Sequence, residues 1–184
     1  MSSPVEMYLA HLDAVSGGIE PRFVPVESTK PGMKSVTAII YSDVPEVGYI
    51  TGLTYGLSLA DHTDWTLGKP ELCISVRSSD EAWPLAVAHM AETMRGDCPF
   101  QYGDTIGLGG PISSESNLTA FVVFAPGVLP RDDYEGIHVG ETHINIAGCY
   151  PIYESERQFI QEHGLEAFWE LDWDPYDVAR QPVA

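Results

Sequence analysis

Basic residues are scarce in this chain. Nine Lys and Arg stand against 27 Asp and Glu, for a formal net charge of −18. A field of that sign repels phosphate backbones and anionic lipid, so neither nucleic acid nor a membrane surface is expected as a partner. Cysteine is also sparse. Cys73, Cys98 and Cys149 lie far apart, form no C-x-x-C pair and are odd in number, which excludes a disulfide framework and predicts ordinary reduced core thiols. No run approaches the roughly 18 to 20 apolar residues that span a bilayer. The opening residues, Met1 to Glu6, lack the basic start and apolar stretch of a secretion signal, so a cytoplasmic location is expected. The common catalytic signatures are missing too: no G-x-x-x-x-G-K-[ST], no G-x-S-x-G and no H-E-x-x-H occurs. Gly107-Leu108-Gly109-Gly110-Pro111 is glycine-rich, but no lysine follows and Pro111 deletes a backbone donor, so it reads as a turn rather than a phosphate cradle.

What is present suffices for a core. The chain has 184 residues, 44% of them apolar and 10% aromatic, which fits one domain over 1–184. A first helix is expected where Ser3-Pro4-Val5-Glu6 offers a capping box with proline at the first helical position. Val5, Tyr8, Leu12 and Val15 follow at helical spacing, and Gly17-Gly18 supplies the stop. Extended segments follow at 22–26, 34–41, 49–59 and 71–77, the first an edge strand because of Pro25. The clearest helix opens after Ser78-Ser79-Asp80, tolerates Pro84 in its first turn, and lines up Trp83, Val87, Met90, Ala91 and Met94 before Gly96. A short strand at 104–106, a doubly buried central strand at 118–125, and a pair at 137–139 and 142–147 come next. A helix starting at Tyr153 with acids in its first turn ends at His163-Gly164. A short helix through Leu165, Phe168 and Trp169 follows, and the tail to Ala184 is expected to fray. The predicted class is α+β: a mixed or mostly antiparallel sheet with flanking helices.

Three clusters could carry chemistry. Asp61-His62-Thr63-Asp64-Trp65 could hold a metal or an acid–base pair, since a carboxylate beside a histidine tunes it. The plainer reading is a capped loop with an aromatic anchor. His138 and His143 flank Gly140 and could bind zinc, but two ligands are too few and none elsewhere completes the set. The segment 166–177 combines Glu166, Glu170, Asp172, Asp174 and Asp177 with Phe168, Trp169, Trp173 and Tyr176. Carboxylates beside aromatics suit a glycosidase, or an interface with aromatic anchors in a polar ring. They equally suit aromatics in a core with acids facing water. No cofactor or metal is indicated.

Three segments, in this order, resemble the Suppressor of fused-like family: ELCISVRSSDEAWPLAVAHMAETM (residues 71–94), a strand followed by a Trp-Pro helix; FVVFAP (121–126), the strand after it; and INIAGCYPIYESERQFIQEHGLEAF (144–168), a strand, a proline turn, an acidic-start helix and a Gly-Leu exit. The likeness runs over about 45–175 and rests on order and spacing rather than any one motif. It implies the Suppressor of fused-like fold, and binding rather than catalysis. Animal Suppressor of fused grips a short peptide of a transcription factor, and stand-alone bacterial relatives are implied to be immunity proteins of polymorphic toxin systems. The sequence is shorter than the animal protein and is not expected to include its extra C-terminal domain, so no peptide-gripping residues are carried over.

The expectation is therefore a protein-binding protein that docks a basic surface, with a toxin domain as the finer reading. Residues 131–177 hold twelve acids against two arginines, a local balance of −10, which complements a cationic partner. The residues expected at the interface are Asp61, Asp64, Trp65, Glu166, Glu170, Asp172, Trp173, Asp174 and Tyr176. A carboxylate-dependent hydrolase and a structural or regulatory module in a larger assembly are the competing readings.

Overall fold

The computed structural model describes residues 1–184 throughout. Helix α1 (Pro4–Ser16) begins as its sequence requires: Glu6 N–H donates to Ser3 Oγ at 3.3 Å, and Ser3 N–H donates to Glu6 Oε2 at 2.7 Å. Gly17 ends it in the left-handed conformation. Strands β1 (Arg22–Pro25), β2 (Thr37–Ser42) and β3 (Tyr49–Tyr55) form an antiparallel meander. The extended run expected to continue to Leu59 stops at Tyr55 instead, because Leu57–Leu59 winds into a 3-10 turn. Strand β4 (Lys69–Arg77) pairs antiparallel with β3 and leads to helix α2 (Ala82–Met94). Asp80 Oδ1 accepts the Ala82 N–H at 2.9 Å, while Ser78 Oγ accepts from Asp80. The cap thus lies in the Ser78–Asp80 turn, one residue outside the N-cap position Glu81, whose own side chain makes no capping bond.

Strands β5 (Thr105–Gly107) and β6 (Ala120–Phe124) follow. The one-turn helix α3 (Arg131–Tyr134), the short β7 (Ile137–His138) and the ten-residue β8 (His143–Ile152) come next. Helices α4 (Glu154–His163) and α5 (Leu165–Trp169) complete the elements. All eight strands join one sheet in the order β1-β2-β3-β4-β8-β6-β5, with β7 beside β8. Every pairing is antiparallel except β4 with β8, so the sheet is mixed and the class is α+β. β8 serves two neighbours in succession on one edge: β7 at its start and β6 from Gly148 to Ile152.

Alternation along the strands sorts side chains to two faces. Ile40, Ile50, Leu72, Ile74, Val76, Phe121 and Val123 meet Trp83, Val87, Met90 and Ala91 of α2. The other face carries Ile39, Tyr41, Leu53, Cys73, Ile144 and Ile146 against Tyr8 and Leu12 of α1. Ala120, Val122, Tyr150 and Ile152 pack on Ile160 and Phe168 of α4 and α5. The β6 run is buried on both faces as expected, although it lies one strand from the edge. Each large apolar side chain buried here stabilises the fold by about 1.5–3 kcal/mol. α2 sits close because Gly52 of β3 has no side chain: a Cβ there would collide with Pro84 Cβ.

The tail departs from expectation. It is not frayed but strapped down: Arg180 is 8% exposed and forms a two-pronged ion pair with fully buried Glu156, both contacts at 2.7 Å. Val183 N–H also donates to Glu156 at 3.0 Å, and Ser155 Oγ donates to the Ala184 carbonyl at 2.6 Å. No helix is long and apolar enough to cross a membrane.

Candidate functional site

Two neighbouring clefts share a ridge made by Arg131 and Tyr134 of α3. The larger, about 720 Å³, lies between the 64–68 loop, the 99–102 loop and the α3–β7 link, with Asn145 and Ala147 of β8 in its wall. Asn145 fixes its shape: its Nδ2 donates to the Leu67 carbonyl at 3.2 Å and its Oδ1 accepts Gly136 N–H at 2.8 Å. Gly68 permits this approach, because a Cβ there would stand 2.8 Å from Asn145 Nδ2. Two apolar side chains are displayed around the opening, Leu67 at 89% and Tyr102 at 54% exposure. Such displayed anchors beside a concavity are the usual makings of a contact surface.

The smaller cleft, about 380 Å³, is lined by Phe124, Trp169 and Tyr176 beside the same ridge. Its floor is pinned by Tyr150, whose hydroxyl donates to Ala125 O at 2.6 Å and accepts from Gly127 N–H at 2.7 Å. Burial pushes the Tyr150 phenol well up from its ordinary value, so it stays a neutral hydrogen-bonding group. On the ridge, Arg131 grips Glu135 with two bonds, Nε to Oε2 at 2.6 Å and Nη2 to Oε1 at 3.2 Å. That guanidinium holds the Glu135 carboxyl below the usual range.

The structure distributes the sequence-predicted residues unevenly. Asp64 and Trp65 line the larger cleft, and Tyr176 lines the smaller one. Trp65 anchors its loop by donating from Nε1 to the Pro99 carbonyl at 2.9 Å. Asp61 lines neither cleft and pairs with Lys69 at 2.7 Å, a contact that lowers its pKa. Asp64 N–H donates to His62 Nδ1 at 3.1 Å. In the Asp61–His62–Asp64 trio both carboxylates are exposed; Asp64 Oδ2 lies 4.0 Å from His62 Nδ1, while Asp61 is engaged by Lys69. Glu166, Glu170 and Asp172 are exposed and outside both clefts. Trp173 stacks on Trp169 with centroids 5.0 Å apart and lies under Arg180, whose guanidinium carbon is 4.8 Å from its ring centroid. Asp174 forms an ion pair with Arg77 and caps the turn by accepting Tyr176 N–H at 3.0 Å. In this segment the aromatics pack while most of the acids face water. The rings of His138 and His143 lie 4.2 Å apart, tilted by 56°, across the β7–β8 turn, and no group of three or more His, Cys, Asp or Glu is placed to hold a metal ion.

Sequence reading missed Leu67, Tyr102, Arg131 and Tyr134. A local signal existed for α3: Pro130 precedes Arg131-Asp132-Asp133, acids in a first turn, with Arg131 and Glu135 four apart. Nothing in the sequence brings 64–68, 99–102 and 131–136 together, because β8 does that from a distance.

Eight strands in a mixed sheet, with α2 on one face and α1, α4 and α5 on the other, define an α+β domain of the Suppressor of fused-like type. The family model described as Suppressor of fused protein (SUFU) matches residues 32–181, and the chain belongs to that family. Solved structures share the fold. A Suppressor of fused homologue from Neisseria gonorrhoeae superposes with a TM-score of 0.76 at 18% identity, over 97% of this chain and 95% of its own. A chain of the Sufu–Fu complex gives 0.69 at 12% identity, over 97% and 91%. Drosophila Suppressor of fused gives 0.67 at 13% identity, over 97% of this chain but 50% of its own. No curated protein sequence matches the chain.

Proposed function

We propose that this chain works by docking another protein through its acidic side, and that the partner presents a basic surface. The observation that carries the proposal is unspent charge. Of the twelve acids in 131–177, Glu135, Glu154, Glu156 and Asp174 have arginine partners. Asp132, Glu166, Glu170 and Asp172 are exposed and make no ion pair. Unpaired exposed carboxylates at this density raise encounter rates with a cationic surface. The twin clefts offer Leu67, Tyr102 and Tyr176 as apolar contacts, with Asp64 and Trp65 on the larger cleft's wall. Family membership supports the reading, since a Suppressor of fused was crystallised as the Sufu–Fu complex.

The finer reading is an immunity protein whose partner is a toxin domain acting on nucleic acid. An enzyme that grips phosphates needs a basic groove, and an acidic plug matches it. Capture of partners with the tagged chain, identified by mass spectrometry, supplies the pair to be measured. Between 50 mM and 500 mM salt the association rate should fall by about tenfold or more. Neutralising Glu166→Gln, Glu170→Gln and Asp172→Asn together should reduce both the rate and its salt dependence. An association rate indifferent to salt would overturn the docking proposal. The immunity reading is tested separately: co-expression should restore growth of cells producing the captured partner, and continued killing would reject it while leaving docking intact.

A further inference from the structure

A third concavity lies away from the twin clefts, on the sheet face covered by α1. It has a volume of about 200 Å³ and is bounded mainly by Leu12, Val15, Leu53, Leu129 and Ile146. An apolar cavity of about 150 Å³ is already enough to hold a benzene ring. Two polar groups in its wall, Thr51 and Cys73, offer an entering molecule little. Thr51 Oγ1 is engaged with the Val44 carbonyl and Ser75 Oγ, both at 2.5 Å. Burial pushes the Cys73 thiol up to about 12, which keeps it neutral. The exposed lining residues Ile19 and Pro45 mark the mouth, and half-buried Ser16 and Asp133 also line the cavity. Asp133 is the one charged residue in the lining. α1, which supplies Leu12, Val15 and Ser16, precedes the family match at 32–181.

We propose that this cavity is a binding site for a small apolar amine, its hydrocarbon body against Leu12, Leu53 and Ile146 and its cationic head toward Asp133. The dry aliphatic wall selects the body, because a polar group placed there would lose its hydrogen bonds to water. The acidic lining residue and the −18 field select the head: a cation is favoured and a carboxylate is repelled. Partner docking through the twin clefts does not depend on it.

Three probes of one shape separate these terms: benzylamine, benzyl alcohol and benzoate. Titration of the full chain is followed by methyl NMR shifts of Leu12, Leu53 and Ile146. The expected order is benzylamine first, benzyl alcohol weaker by about two- to fivefold as for a partly exposed ion pair, and benzoate weakest. Asp133→Asn should equalise amine and alcohol without touching the aliphatic wall. Val15→Phe should fill the space and weaken both. Methyls that stay unmoved by all three probes would overturn the site. Benzoate binding as tightly as benzylamine, or an amine preference surviving Asp133→Asn, would overturn the assignment of the head.

Discussion

At the residue scale, a chain with this much surplus acid nevertheless buries three glutamates completely or nearly so: Glu71, Glu92 and Glu156. Each organises backbone that no strand or helix satisfies. Glu71 accepts from Thr54 Oγ1 at 2.6 Å, Gly56 N–H at 2.8 Å, and both the N–H and hydroxyl of Ser58 at 3.0 and 2.7 Å. It therefore holds the 3-10 turn after β3. Glu92 does the same for the strand entry, accepting from Val36 N–H at 2.9 Å and Thr29 Oγ1 at 2.9 Å, with Arg95 alongside at 3.1 Å. Replacing Glu71 by alanine leaves the Gly56 and Ser58 N–H groups and the Ser58 hydroxyl buried without partners, and leaves the Thr54 hydroxyl, which still accepts the Leu72 N–H at 2.8 Å, without an acceptor. The expected loss is about 3 kcal/mol or more of unfolding free energy, measured by urea denaturation followed through tryptophan fluorescence. A loss below 1 kcal/mol would show that water serves these donors equally well. Arg180→Ala should cost about 3–5 kcal/mol by the same measurement, because it strands the Glu156 carboxylate in the interior. The double replacement Arg180→Met with Glu156→Met should be milder than Arg180→Ala alone. These roles were illegible in the sequence for a definite reason. Alternation in 71–77 assigns Leu72, Ile74 and Val76 to the core and leaves Glu71 on what reads as a wet face. The return of residues 56–58 and the packing of Tyr8 from α1 over that face, both distant in sequence, bury it.

At the element scale, what was legible was local. Ser3, Pro4 and Glu6 fix the start of α1, and the spacing of Trp83, Val87, Met90 and Ala91 fixes α2, because both are set by contacts three or four residues apart. The twin clefts were only half legible: Asp64, Trp65 and Tyr176 stood out as acids and aromatics, whereas Leu67 and Arg131 line them only because of where β8 puts their segments. The double pairing of β8 with β4 and then with β7 and β6 depends on chain segments tens of residues distant. The strap over α4 depends on one arginine in a stretch that reads as a loose end. The α2–β3 contact gives a direct test of packing. Gly52→Ala inserts a methyl group where Pro84 already sits. The helix must then shift or the strand bend, at an expected cost of about 1–3 kcal/mol. Gly110→Ala, at a site with open space around it, is the control and should be near neutral. Equal stability of the two variants would mean that α2 rides on the sheet more loosely than the structure shows.

At the scale of the whole molecule, the charge that suits docking opposes folding. A net −18 compressed into one compact body repels itself, and the expanded unfolded chain relieves that repulsion. Added salt screens it, so the urea midpoint at pH 7 should rise between 20 and 300 mM sodium chloride, the reverse of what surface ion pairs alone would give. The pH profile has two limbs of opposite sign. Glu71 has its carboxyl raised above the ordinary 4.5, by desolvation that outweighs its hydrogen bonds. Its contribution is therefore complete below pH 4.5 and is lost as pH rises through the folded value. Glu92 and Asp174 lie on the other limb. Burial raises both, yet bonds from Val36 and Thr29 in the first case and from Arg77 in the second bring the net shift below ordinary values of 4.5 and 3.8. Their contribution is present above those values and disappears as pH falls through the depressed ones. Stability should thus climb as pH is lowered from 7 toward about 5, as repulsion and the Glu71 penalty both ease, then collapse below about 4. Glu71→Gln removes one contributor to the first limb and none to the second. Urea titrations of the two proteins from pH 3 to 8, at low protein concentration, should therefore show a flatter rise for the variant and an unchanged acid collapse. An equally steep rise in both would assign the whole upper limb to long-range repulsion and remove Glu71 from it.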